Sequence, residues 1–161
     1  FMTLLLTGYQ EYFNDVIQMI QAKASLTLAD FIDLLLHQTK VLIETRPTLV
    51  RLNALRGPVL EQGANMEQTV AFREQLYAKN QALGQAVAER IPSLTVKEVS
   101  QLMLVQSAII SGLMNMSSLN AFNHHLLTKV NFENFQIDLV NDAVDVFGNY
   151  LAGRYPETHK R

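Results

Sequence analysis

Cysteine and tryptophan are both missing from this chain of 161 residues. Without cysteine it forms no disulfide, no thiolate zinc site and no cysteine nucleophile, and it suits a reducing cytoplasm. Charge is sparse. The 13 Lys and Arg and 15 Asp and Glu are scattered, giving a net charge of −2 and a pI near 6.1. Nothing here resembles the basic patch that neutralises a phosphate backbone, so this chain alone is not a nucleic-acid-binding surface. Catalytic signatures are missing too: no HExxH, no ExxH, no histidine pair at i, i+4, no Gly-rich phosphate loop and no GxSxG. The 4 histidines are His37, His124, His125 and His159. Only His124 and His125 are neighbours, and adjacent side chains diverge without a third ligand, which fits a solvated loop better than a metal site. The chain therefore reads as neither an enzyme nor a metal or cofactor protein.

What stands out is the stretch from Thr95 to Ser117, TVKEVSQLMLVQSAIISGLMNMS. After Glu98 no Asp, Glu, Lys or Arg occurs before Lys129, whereas a soluble helix normally keeps charge on its solvated face. One stripe of this helix, Val99, Met103, Gln106, Ile110 and Met114, is apolar apart from one amide. A second, Leu102, Val105, Ile109, Leu113 and Met116, is wholly apolar. The remaining side, Gln101, Leu104, Ala108, Ser111 and Asn115, is mostly small or uncharged polar, which fits a subunit interface better than a dry core. Gln101, Gln106, Ser107, Ser111 and Asn115 interrupt the run and no basic cluster flanks it, so it reads as soluble rather than membrane-spanning. FMTLLLTGYQ lacks the basic start and small-residue cleavage site of a signal peptide.

Taken in order, the pattern predicts an all-α bundle of about six main helices in one domain spanning 1–161. The first runs from Phe1 to about Lys23 with an apolar arc of Phe1, Leu4, Leu5, Tyr9, Tyr12, Phe13, Val16, Ile17 and Ile20. It opens uncapped on an apolar Phe-Met, from which residues upstream of Phe1 are expected. Thr27 with Asp30 caps a second helix reaching about Thr45, and Leu26 staples onto Phe31. Arg46-Pro47 ends it and opens a third, which Gly57-Pro58 should kink or break. Asn65 with Gln68 opens a fourth, ending near Arg90, with Val70, Phe72, Leu76, Leu83 and Val87 inward. Thr95 with Glu98, stapled by Leu94 and Val99, starts the central helix. Ser117 to Val130 is a connection, in part a short helix. Asn131 caps the last helix, Phe132 to about Gly153.

That last helix carries two apolar stripes, Ile137, Val140, Val144, Phe147 and Leu151, and Phe132, Phe135, Leu139, Ala143, Val146 and Tyr150. One stripe suffices to dock a helix, and the second predicts contact with something else. With the charge-free central helix, this predicts an isologous dimer in which these two helices from each subunit form a four-helix bundle. Gln101, Leu104, Ala108, Ser111, Asn115, Phe135, Leu139, Ala143, Val146 and Tyr150 are its candidate interface. A core mixing Met103, Met114, Phe13, Phe31 and Phe72 with isolated amides such as Gln38 and Gln106 suits either a cavity with a few orienting polar groups or ordinary packing.

The order of elements, LLLTGYQEYFNDVIQ, SLTLADFIDLLL, ETRPTLVRLNALRGPVLEQGANMEQTVAFREQL and the helix ending IISGLMNMS, resembles the C-terminal effector and dimerisation domain of TetR-family transcriptional regulators. Arg46-Pro47, LEQGANMEQTVAFREQL and Gly112-Leu113 are its most specific parts, and Pro58 departs from the pattern. The resemblance implies a cytoplasmic homodimer, no membrane partner, and residues 1–23 as the helix connecting to a DNA-binding helix-turn-helix domain outside this chain. It also implies an inducer pocket and contact with operator DNA through that other domain. A small hydrophobic or amphipathic effector is expected, lined by Phe13, Ile17, Leu35, Gln38, Leu55, Phe72, Leu76, Met103, Gln106 and Ile110, with repression released when it binds. The alternative is a helical interaction module without a small-molecule ligand.

Overall fold

The computed structural model describes the backbone of residues 1–126 and 133–159 and the side chains of 1–119 and 133–158. Its elements are α1 (Met2–Gln21), α2 (Leu28–Thr45), α3 (Pro47–Ala54), the single turn α4 (Glu61–Gly63), α5 (Met66–Ala88), α6 (Val96–Leu126) and α7 (Leu139–Arg154). A π-helical turn, Arg56–Leu60, joins α3 to α4, and short 3-10 turns occupy Glu133–Phe135 and Pro156–His159. No strand occurs among the described residues.

α6 is the spine of the packing. It lies against α3, α5 and α7, while α1 lies on α5 and α3 and α2 lies on α7. The first helix buries Met2, Leu5, Leu6, Tyr9, Tyr12, Phe13, Val16, Ile17 and Ile20, a three-and-four spacing that fixes its inward face. Phe1 and Leu4, expected on that arc, are exposed, and Met2 and Leu6 replace them. At 100° per residue, Leu4 falls almost opposite the centre of the buried arc.

Local signals set the boundaries. Thr27 Oγ1 accepts from the Asp30 amide at 3.1 Å and Asp30 Oδ2 accepts from the Thr27 amide at 3.0 Å, a complete capping box. The same reciprocal pair at Thr95 and Glu98, 3.2 and 2.9 Å, starts α6, with Leu94 and Val99 buried beneath it. Arg46 breaks the helix with φ −128° and ψ 50°, and Pro47 takes the first turn of α3. Gly57-Pro58 yields the π-turn, as expected from the amide that proline lacks.

Several boundaries differ from the sequence reading. α6 continues unbroken to Leu126 instead of ending near Ser117, because Ser117–Leu126 contains neither Gly nor Pro to stop it. α7 starts at Leu139, capped by Asp138, whose side chain accepts from the Asn141 amide at 3.2 Å. The expected start at Phe132 capped by Asn131 falls outside the described residues, and Glu133–Phe135 is a separate turn. In α5 Val70 is exposed and Thr69 is buried in its place. Thr69 can face inward because its hydroxyl donates to the Asn65 carbonyl at 3.1 Å and accepts from Arg73 Nε at 2.9 Å.

Two glycines mark close approaches. A Cβ on Gly84 would lie 2.7 Å from Val96 Cγ1 and 3.0 Å from the Val96 carbonyl oxygen, so α5 meets the start of α6 at backbone distance. A Cβ on Gly8 would lie 2.7 Å from Leu49 Cδ1, where α1 meets α3.

Candidate effector cleft and subunit face

Between α1, the end of α3, α5 and α6 lies a cleft of about 170 Å³. Phe13, Leu76 and Met103 supply its apolar wall, and Tyr9, Asn53, Arg56, Gln106 and Ser107 supply polar groups. Tyr77, Asn80, Ser100 and Leu104 complete its lining.

The polar groups differ in how well they are satisfied. Gln106 is fully committed: Oε1 accepts from the Tyr12 hydroxyl at 3.2 Å and Nε2 donates to Thr39 Oγ1 at 2.9 Å. Asn53 Nδ2 donates to Ser107 Oγ at 2.7 Å and Ser111 Oγ at 2.8 Å. The Tyr9 hydroxyl, by contrast, is buried and has no hydrogen-bond partner. Burial pushes its pKa up to about 12, and the nearby Ser107 hydroxyl and Arg56 charge only partly oppose that shift. Ser107 is close enough to be felt by the phenol but not in hydrogen-bonding geometry. Such an orphaned group in a native structure calls for a partner.

Behind Arg56, Glu61 accepts from Arg73 through both carboxylate oxygens, at 3.0 and 2.7 Å, and from Arg56 Nε at 3.0 Å. Arg73, then Arg56, hold the Glu61 carboxyl at about 2, well below its ordinary 4.5. Two guanidinium groups, one of them the cleft-lining Arg56, thus share one carboxylate.

The candidate lining residues separate into groups. Phe13, Leu76, Met103 and Gln106 come together in the cleft. Ile17, Leu35 and Ile110 are sealed in the core, and Gln38 is buried with Nε2 on Met19 Sδ at 3.1 Å. Phe72 is half-buried against the core, its carbonyl accepting from Gln10 Nε2 at 3.0 Å. Leu55 is largely exposed and lines a separate depression between α3 and α6. Tyr9, Asn53, Arg56 and Ser107 were not among those candidates. A search for apolar lining passes over polar residues, and Arg56 stands at the start of the π-turn.

The candidate interface also divides. Gln101, Leu104, Ala108 and Asn115 on α6 are exposed, Leu104 by 68%, and a Cβ added at Gly112 would meet nothing within 4 Å. This uncovered face carries no charge. Ser111 instead bonds Asn53, and Asn115 Nδ2 donates to the Ala54 carbonyl at 3.5 Å. On α7, Val146 is 46% exposed, Leu139 and Tyr150 are half-buried, and Phe135 is exposed in the preceding turn. Ala143 is fully buried with Phe147 and Leu151, at four-residue spacing, so its place is the protomer's own core. The segment Val96–Leu119 is long and apolar enough to cross a membrane by length and composition, yet it packs on three helices of this chain and buries Gln106.

A second depression, about 730 Å³ between α2 and α7, is rimmed by Asp33, Asp145 and Asn149, and its polar groups include no orphaned buried atom. No group of three or more His, Asp or Glu able to hold a metal ion occurs among the described residues. His124 and His125 lie outside the described side chains.

No curated protein and no solved structure matches this chain. A family model does, described as tetracyclin repressor-like, C-terminal domain, and it covers residues 6–157. An all-helical chain with an internal cleft, matched over nearly its whole length, therefore belongs to the tetracyclin repressor-like C-terminal domain family, the effector and dimerisation domains of TetR-type regulators.

Proposed function

We propose that this chain is the sensing half of a cytoplasmic transcriptional repressor that works as a homodimer. A small, mostly hydrophobic molecule enters the cleft and releases operator DNA held by a separate domain connected through α1. The observation that supports this most strongly is the cleft's position: α1 contributes Tyr9 and Phe13 to its lining, and α6 contributes Met103, Gln106 and Ser107. An occupant that prefers one separation of these helices biases the position of α1 in each subunit. It thereby shifts the spacing of two DNA-reading domains that must match successive half-sites.

Dimerisation is assigned to the uncharged face of α6 around Leu104, Ala108 and Gly112, together with Val146 and Tyr150 of α7. Small residues at the centre of that face allow a close helix–helix approach. Sedimentation and native mass spectrometry of the chain test the reading together. The expected species is a dimer that falls to a folded monomer with Ala108→Glu. A wild-type monomer at tens of micromolar would sink the dimer and the release mechanism that depends on it.

A further inference from the structure

We infer that the cleft takes a ring-sized organic carboxylate, its anionic head on the Arg56 guanidinium and the Tyr9 hydroxyl and its apolar body on Phe13, Leu76 and Met103. The inference rests on the effector-site reading above and gives that effector its chemical class.

Charge is the first ground. Glu61 is chelated by Arg73 through two N–H groups, whereas Arg56 reaches it with Nε alone. Arg56 Nη1 and Nη2 donate to no described residue, and two guanidinium groups on one carboxylate leave one positive charge uncompensated at the cleft. A guanidinium with two free parallel donors matches a carboxylate in geometry as well as sign. An ammonium ligand would meet repulsion at the same place.

The second ground is Tyr9. Its hydroxyl is buried and unpartnered, and an acceptor atom placed in the cleft supplies the missing hydrogen bond. Because burial keeps the phenol protonated far above neutral pH, it acts as a donor there. Donor and guanidinium converge on one lining, so a single acceptor head serves both.

Size and floor complete the match. A cavity of about 150 Å³ holds one benzene ring, and this cleft has about 170 Å³ with Phe13, Leu76 and Met103 as its apolar side.

The test uses the full chain carrying ¹³C-methyl methionine, with the Met103 signal assigned by Met103→Leu, titrated separately with benzoate, benzamide, benzylamine and toluene. Benzoate is expected to bind about tenfold or more tighter than benzamide, the scale of a hydrogen bond to a charged group, and benzylamine not to bind. Arg56→Gln brings benzoate down to the affinity of benzamide and leaves benzamide unchanged. Arg56→Lys keeps part of the preference, which separates lost charge from a disturbed turn. Tyr9→Phe weakens benzoate several-fold. Benzamide or benzylamine equalling benzoate, or Arg56→Gln leaving benzoate binding intact, overturns the carboxylate assignment while the cleft stands as an effector site. Failure of all four probes to move the Met103 methyl at millimolar concentration rejects the cleft as a small-molecule site and both readings with it.

Discussion

The Tyr12 hydroxyl donates to Oε1 of Gln106 across 3.2 Å, joining α1 to α6 at the inner edge of the cleft. The same amide donates onward to Thr39 Oγ1 on α2, and that hydroxyl donates to the Leu35 carbonyl at 2.8 Å. Three helices thus meet at one buried polar relay. Burial pushes the Tyr12 phenol well up, so it remains a donor throughout the ordinary pH range.

Gln106→Leu keeps the approximate size of the side chain and leaves the Tyr12 hydroxyl without its acceptor. The expected loss is about 1–3 kcal/mol, the cost of an unsatisfied buried group, measured by urea denaturation. Adding Tyr12→Phe and Thr39→Val should recover part of it, because no group is then left stranded. Strictly additive losses would show that the three residues do not act as a network.

Gly84→Ala places a methyl against the backbone of Val96, which cannot move aside like the end of a flexible side chain. A loss of about 1–3 kcal/mol is expected from such overpacking. Gly112→Ala meets open space within the protomer. It should leave protomer stability unchanged or raise it by up to about 1 kcal/mol. Thermal unfolding of both variants at matched low concentration makes the comparison.

Acid sensitivity follows from Glu61. Its folded-state pKa of about 2 lies below the ordinary 4.5, so its contribution is complete above about pH 4.5 and disappears as pH falls through about 2. The melting temperatures of wild type and Glu61→Gln should therefore differ at pH 5 and converge toward pH 2.5. A gap that stays constant across this window would show that the ion pairs with Arg56 and Arg73 contribute nothing.

Val146→Glu and Ala143→Glu test the proposed division of one helix into subunit face and core. Val146 is half-exposed, so its variant should fold and lose self-association. Ala143 is fully enclosed, so its variant should fail to fold because an unpaired carboxylate is buried. Circular dichroism and sedimentation distinguish the two. A folded Ala143→Glu monomer would reverse their assignment.

Two helix starts were legible because capping is a local code, Thr27 with Asp30 and Thr95 with Glu98 each announcing one within four residues, whereas the Asp138 cap of α7 was passed over. The all-α class and the uncharged character of α6 followed equally directly from periodicity. Rotation of a helix about its axis was read less well. Leu4 and Val70 lie at apolar positions of a 3.6 pattern yet face outward, since the packing partner and not the helix decides which part of a wide arc is covered. Ala143 was drawn to the interface for the same reason. The cleft was half visible: Phe13, Leu76, Met103 and Gln106 share inward stripes, but Tyr9 on α1 and Arg56 in the π-turn line it together from segments far apart in the chain. No pattern in one segment encodes a meeting of two.

The corner between α2 and α3 holds α1 through one side chain. Arg46 Nη1 reaches Glu11 Oε2 at 3.2 Å and Nη2 reaches Asp15 Oδ2 at 2.7 Å, and these acids stand one turn apart on α1. As partly exposed pairs they add little to stability, but their spacing discriminates between kinds of motion. A piston stroke of α1 by one turn, about 5.4 Å, brings one acid to the place the other left and preserves an ion pair. A twist of α1 about its own axis carries both acids away together. The corner thus works as an index stop that tolerates sliding of α1 and resists rolling.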